Sequence, residues 1–140
     1  MQVNLNPVLR LSGVCLALAL CCSAYAQNLI VNGNFSAGNT GFTSQYTYKT
    51  PPATGQGQYY VGANPNSWYS GFPAFFDHTT GTAAGSMLMA DAGTVTPSLA
   101  VWSQSVTVKA NSTYQFGMWL ANIGTQNTAQ IQISINGVVQ

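Results

Sequence analysis

Asp77-His78 is the one point in the chain where a carboxylate and an imidazole adjoin. Such a pair can orient a proton acceptor or contribute to a metal site. Either role needs partners, and the sequence holds no second His, no Glu and only Asp91 as a further carboxylate. Asp77 and Asp91 flank one strand candidate, Ser86 to Ala90, so the two could converge as the paired carboxylates of a glycosidase. The simpler role for Asp77 is to close its own loop, its carboxylate accepting backbone N–H groups as in an Asx turn. Asp77 and His78 also stand as candidate ligand contacts. With no further partners for either residue, we expect no enzymatic activity, no metal site and no cofactor.

The remaining chemistry is aromatic. The loop Ser67 to Phe76 carries Trp68, Tyr69, Phe72, Phe75 and Phe76. Long loops without regular structure in a compact domain are often functional, and Trp68 and Tyr69 are candidate ligand contacts within this one. Trp119 stands between the small residues Gly117 and Ala121 in residue parity. A ring presented beside small residues makes a flat platform on which the C–H face of a sugar can stack, with Gln115 on the same parity to bond hydroxyls. The alternative is that the 68–76 loop covers Trp119 and the rings form a second small core, since a wholly orphaned exposed Trp is costly.

These residues must be positioned by strands. Val101 to Asn122 reads as two strands joined by a turn at Ala110-Asn111-Ser112. In the second, Tyr114, Phe116, Met118 and Leu120 share one face by the period of two, which puts Trp119 on the other. That apolar face is the expected core of an antiparallel sandwich. Further strands are expected at Leu29–Val31, broken by Asn32-Gly33, and at Phe42–Tyr48, ended by Pro51-Pro52. Others are expected at Gln58–Gly62, at Ser86–Ala90 and at Ala129–Ile135, whose Ile131, Ile133 and Ile135 alternate with polar residues. Asn136-Gly137 is a two-residue hairpin turn leading to Val138-Val139-Gln140. Helix is confined to a single turn near Pro65 to Tyr69. The strand count falls short of the seven or eight of a full sandwich, so we expect the last strands to be missing from this chain.

Residues 1–26 read as a secretory signal peptide. Arg10 precedes the apolar run Leu11 to Cys22, and Ala24-Tyr25-Ala26 fits the small-x-small rule, placing cleavage after Ala26. The run is shorter than the ~20 apolar residues a membrane span needs. Cys15, Cys21 and Cys22 all lie in this segment, so the domain expected at 27–140 carries no thiol. Its charges are Lys49, Lys109, Asp77 and Asp91, which cancel. So neutral a domain has no footprint for nucleic acid and no polybasic membrane patch. A neutral surface rich in Asn, Gln, Ser, Thr and aromatic rings suits uncharged polar ligands such as glycans. It also occurs on inert surface-layer proteins.

The stretch N-L-I-V-N-G-N-F-S at 28–36 resembles the first strand of galactose-binding-like jelly rolls, carbohydrate-binding modules among them. W-S-Q-S-V-T-V-K-A-N-S-T-Y-Q-F-G-M-W at 102–119 resembles the later signature of those modules. G-N-T-G-F-T-S-Q-Y-T-Y at 38–48, D-H-T-T-G-T at 77–82 and Q-I-Q-I-S-I-N-G-V at 130–138 are similar to a group of exported bacterial proteins, many ending in a PEP-CTERM sorting tail. The resemblance covers nearly all of 28–140. It implies an all-β jelly-roll sandwich on a secreted or cell-surface protein, without catalytic activity. Asn34 and Ser36 stand where the carbohydrate modules carry Asp and Glu, so the carboxylate that helps hold their structural calcium is missing.

The expectation is therefore a secreted, non-catalytic β-sandwich module that binds neutral glycan or exopolysaccharide. Its candidate contacts are Trp119, Gln115, Trp68, Tyr69, Asp77 and His78. The other reading is a structural or adhesive surface protein, partnered with cell-surface matrix and lacking a small-molecule site.

Overall fold

The protein is described here from a computed structural model, which covers residues 27–52, 55–92, 99–124 and 129–140. The expected leader, with all three cysteines, lies outside the described residues. The described residues are sheet and irregular chain, with one helical turn.

The sheet is built on β2 (Gln58–Gly62), which lies between β1 (Thr47–Tyr48) and β3 (Met87–Asp91). β2 and β3 are antiparallel, from Gln58 opposite Asp91 to Gly62 opposite Met87. Both strands match the sequence expectation to within a residue. The β1 pairing is parallel, with Thr47 opposite Gln58 and Tyr48 opposite Tyr59, where an antiparallel arrangement was expected. The chain turns through Pro51-Pro52 and returns to β2 from the same end. Its slanted bonds run from Thr47 N–H to Gly57 O and from Lys49 N–H to Tyr59 O, both 2.9 Å.

The core sits on both faces of β2. Tyr59, Val61 and Met89 are buried, and Trp68 is wholly so. Tyr59 and Tyr60 point to opposite faces by the strand period, and ring contacts run outward from both. On one side Tyr59 meets Phe42 at 6.1 Å, and Phe42 meets Phe35 at 5.7 Å. Tyr48 lies against both tyrosines, at 5.3 and 5.9 Å. Beyond Tyr60 come Trp68 at 6.2 Å, then Phe72 and Tyr69. Most of these centroid separations fall in the range where offset and edge-on aromatic pairs are attractive.

Trp68 reaches this position on α1 (Pro65–Trp68), the single helical turn expected from the sequence. Asn64 caps it, its side chain accepting from Asn66 N–H at 3.0 Å, and Pro65 occupies the first turn, where its missing N–H is not needed. Asn66 then donates to the carbonyls of Ser70 and Phe72, both at 3.0 Å, folding the aromatic loop back over the turn.

Two expected strands are replaced by side-chain ties. Leu29–Val31 forms no ladder. The Gln104 amide stands in for a neighbouring peptide: its Oε1 accepts from Val31 N–H at 2.8 Å, and its Nε2 donates to Val31 O at 2.9 Å and to Gly41 O. The loop beyond is closed by Asn32, whose side chain bonds Ala37, Gly38 and Thr40 backbone groups. Of Phe42–Tyr48, only Thr47–Tyr48 is strand. Thr43 makes an isolated antiparallel bridge to Ser103, and Gln45 binds both backbone groups of Ala100.

The expected central hairpin is the main correction. Its turn is present, with Asn111 at φ 56°, and Lys109 N–H donates to Tyr114 Oη at 2.7 Å. Its strands do not form a ladder, and residues 112–120 run without turn or bend. Tyr114, Phe116, Met118 and Leu120, expected as core, are exposed. A two-stranded hairpin is marginal without a third strand or a covering layer, and among the described residues nothing covers this face. The Ala129–Ile135 strand is likewise shortened to β4 (Ser134–Ile135), paired with β5 (Val138–Val139) across the expected Asn136-Gly137 turn. Ile131 and Ile135 stay exposed.

The burial of Trp68 gives a direct test. Its indole N–H has no protein partner, so the side chain acts through packing. Trp68→Ala should lower unfolding stability by about 3–5 kcal/mol, the usual range for emptying a large aromatic site. Trp68→Phe, which keeps a ring and removes the unpaired donor, should cost clearly less. Chemical denaturation of both variants measures the difference.

Candidate functional site

The loop after the aromatic segment is a closed turn built by Asp77. Thr80 N–H donates to Asp77 Oδ2 at 2.8 Å and the Thr80 hydroxyl donates to Oδ1 at 2.5 Å. Gly81 N–H then bonds Asp77 O at 3.0 Å, with Gly81 at φ 65°. Asp77 is almost buried, at 7% exposure. The Thr80 hydroxyl, followed by the Thr80 amide, holds the Asp77 carboxyl below the usual carboxylate range. Both carboxylate oxygens are thus committed to the loop, so Asp77 closes its turn through the backbone.

This turn leaves His78 exposed at its first position. Trp119, from the segment that carries no ladder, lies flat on the imidazole. The ring centroids are 3.6 Å apart and the planes 11° from parallel. Trp119 remains 74% exposed, so one ring face meets His78 and the other is open. The 68–76 loop does not cover it.

The six sequence candidates therefore divide. His78 and Trp119 come together as a stacked pair. Asp77 supports them from beneath as the closure of the His78 loop. Gln115 is exposed on the same residue parity as Trp119, with open space where a Gly117 Cβ would stand between them. Trp68 is wholly buried in the ring run on β2 and offers a ligand nothing. Tyr69 is half exposed, but its ring packs edge-on against Phe72 at 5.2 Å.

Thr80 and Gly85 were not among the candidates, although both matter to this loop. A Cβ on the buried Gly85 would fall 1.7 Å from Asp77 Oδ1 and 2.3 Å from Thr80 Oγ1. The spacing Asp77-x-x-Thr80 carried a readable signal for the Asx closure. Gly85 had none, because its role depends on the fold returning it to the carboxylate.

Among the described residues, no three His, Cys, Asp or Glu side chains gather as a metal-binding group. Asn34 Oδ1 accepts from the Ser36 amide and hydroxyl at 3.2 and 3.0 Å. Asp91 lies in β3 opposite Gln58. A separate open concavity of about 440 Å³ is lined by Gly41, Phe42, Thr43, Ser103, Gln104 and Ser105, and contains none of the six. Comparison with known proteins adds no assignment: no family model, no curated protein and no solved structure matches the chain.

Because folding lowers the Asp77 carboxyl, its contribution is present above the unfolded-state value of ~3.9. It is lost as pH falls through the lowered folded value. The 77–85 loop should therefore hold through mildly acidic conditions and open only below the ordinary Asp range. Hydrogen exchange at the Thr80 amide reports this, and Asp77→Asn should remove the acid-dependent step. Gly85→Ala should open the same loop at neutral pH, lowering stability by about 1–3 kcal/mol, as overpacking typically does.

Proposed function

We propose that this chain is an exported, non-catalytic β-sandwich module of jelly-roll type that holds neutral glycan against Trp119. The observation that carries the reading is the His78–Trp119 stack, with one indole face open to solvent. A ring already backed by an imidazole loses little freedom when a sugar stacks on its other face, so ordering it costs little on binding. Gly117 leaves the approach flat, and the exposed Gln115 amide supplies both a donor and an acceptor for hydroxyls. The neutral domain favours uncharged polysaccharide over acidic or basic polymers. Export rests on residues 1–26 and the jelly-roll type on the resemblance at 28–36 and 102–119.

The exposed run Tyr114 to Leu120 favours a second reading, a structural or adhesive surface protein without a small-molecule site. Titration against a panel of neutral polysaccharides separates the two. On the glycan reading, at least one polysaccharide binds, and Trp119→Ala weakens it by roughly three- to tenfold, the range of one aromatic contact. His78→Ala should weaken it less, and Tyr69→Ala should leave it unchanged. Binding that survives Trp119→Ala intact, or silence across the panel, rejects the platform.

A further inference from the structure

We infer that residues 113–121 add as a strand to the open edge of β3 in a second copy of this chain. The inference does not depend on the glycan reading. β3 pairs with β2 along one edge only, and among the described residues no strand lies against the other edge. Residues 113–121 place Tyr114, Phe116, Met118 and Leu120 on one residue parity. Tyr114, Phe116, Met118 and Leu120 are each 41–62% exposed. Among the described residues, no backbone N–H or C=O of 113–121 bonds another backbone group. An unpaired strand and an unpaired edge in the same molecule are complementary by main-chain bonding alone, the mode of β-strand addition.

The composition of both partners points to self-recognition. Natural sheet edges are blunted by Lys, Pro or inward charges. Residues 113–121 contain no charge and no Pro, and β3 carries a single charge, Asp91 at its end. The domain is neutral, so two copies meet without repulsion. Within one copy, residues 113–121 are held at Trp119 by His78 and make no backbone bond to β3. The alternation also resolves how a single segment can expose two kinds of surface. Pairing with a neighbour sets Tyr114, Phe116, Met118 and Leu120 in line with one face of that copy's sheet, and leaves Trp119 on the opposite face, against its own His78.

To test this, the full chain is expressed in an exporting bacterial host and the released protein is studied without sugar. Sedimentation velocity should show mass rising from monomer to dimer or larger as concentration increases. Hydrogen exchange should show protection growing with concentration at both 113–121 and Met87–Ala90. Gly117→Pro, which removes a strand N–H, and Phe116→Asp, which puts a charge in place of a strand-forming ring, should each return the protein to monomer. Protection of Gln58–Gly62 in these variants checks that the sheet is intact. A monomer at every concentration overturns the inference. So does a monomer in which 113–121 is already protected, which would mean that the chain covers its own strand. Association that persists in both Gly117→Pro and Phe116→Asp places the contact elsewhere and overturns it equally. A glycan result of either sign leaves these outcomes unaffected.

Discussion

The two adjacent tyrosines of β2 are the constraint on which the rest of the structure depends. A strand sends Tyr59 and Tyr60 to opposite faces, and each anchors a different part of the chain. Tyr59 gathers Phe42 and, through it, the N-terminal loop at Phe35. Its hydroxyl also donates to Asn39 Oδ1 at 2.8 Å, tying the same loop by a polar bond. Tyr60 gathers Trp68, and with it α1 and the aromatic loop. Tyr48 touches both tyrosines and so fixes β1 at the sheet edge. A three-stranded sheet with strands of two and five residues has little area of its own. Rings bring large burial per residue and few rotatable bonds, which suits a body this small.

Where another protein would use ion pairs, this one uses side-chain amides and hydroxyls. Gln104 takes the place of a peptide group beside Val31, and Gln45 holds Ala100 between its own backbone N–H and its side-chain Oε1. Asn32 and Asn66 each close a loop by donating to two carbonyls. Such ties satisfy backbone groups that a missing strand would otherwise leave open. They are uncharged, so they change little with pH or salt. Asp77 is the exception, and it sits directly before the histidine that supports Trp119.

The sequence made some of this legible. β2, β3, the Pro65 turn and the Asn136-Gly137 turn follow from local signals: short runs of strand-forming residues, a proline at the head of a turn, and an Asn-Gly pair. Closure of the loop by Asp77 also followed, because an Asx turn involves only its neighbours. The hairpin of 101–122 did not. Alternation tells which residues share a face but not what covers that face, and burial depends on a partner that no local pattern encodes. The strand expected at Leu29–Val31 failed for a related reason. Its partner is one glutamine side chain 73 residues away, which leaves no periodic trace. The two tryptophans divided on the same principle. Trp68 lies in a loop of rings that could be core or surface. Its burial was decided by Tyr60, and the exposure of Trp119 by the absence of any cover from that loop.

The His78–Trp119 stack has a further role. Among the described residues it is the one ring contact or side-chain hydrogen bond that ties residues 112–121 to a segment other than the adjoining turn, where Tyr114 bonds Lys109 and Ser112 bonds Ala110. Fixing the backbone of such a segment costs on the order of 1–2 kcal/mol per residue. One aromatic pair returns about 0.5–1.5 kcal/mol beyond its burial. The stack can hold one residue in place, but it cannot by itself order the ten around it. Either main-chain pairing or a layer on the Tyr114–Leu120 face must supply the difference. The stack sets where that pairing leaves Trp119: beside a loop clamped by Asp77 and Thr80, on the face opposite Tyr114, Phe116, Met118 and Leu120. A platform made this way joins a rigid loop to a strand that gains its order from association, so whatever assembles the strand also completes the platform.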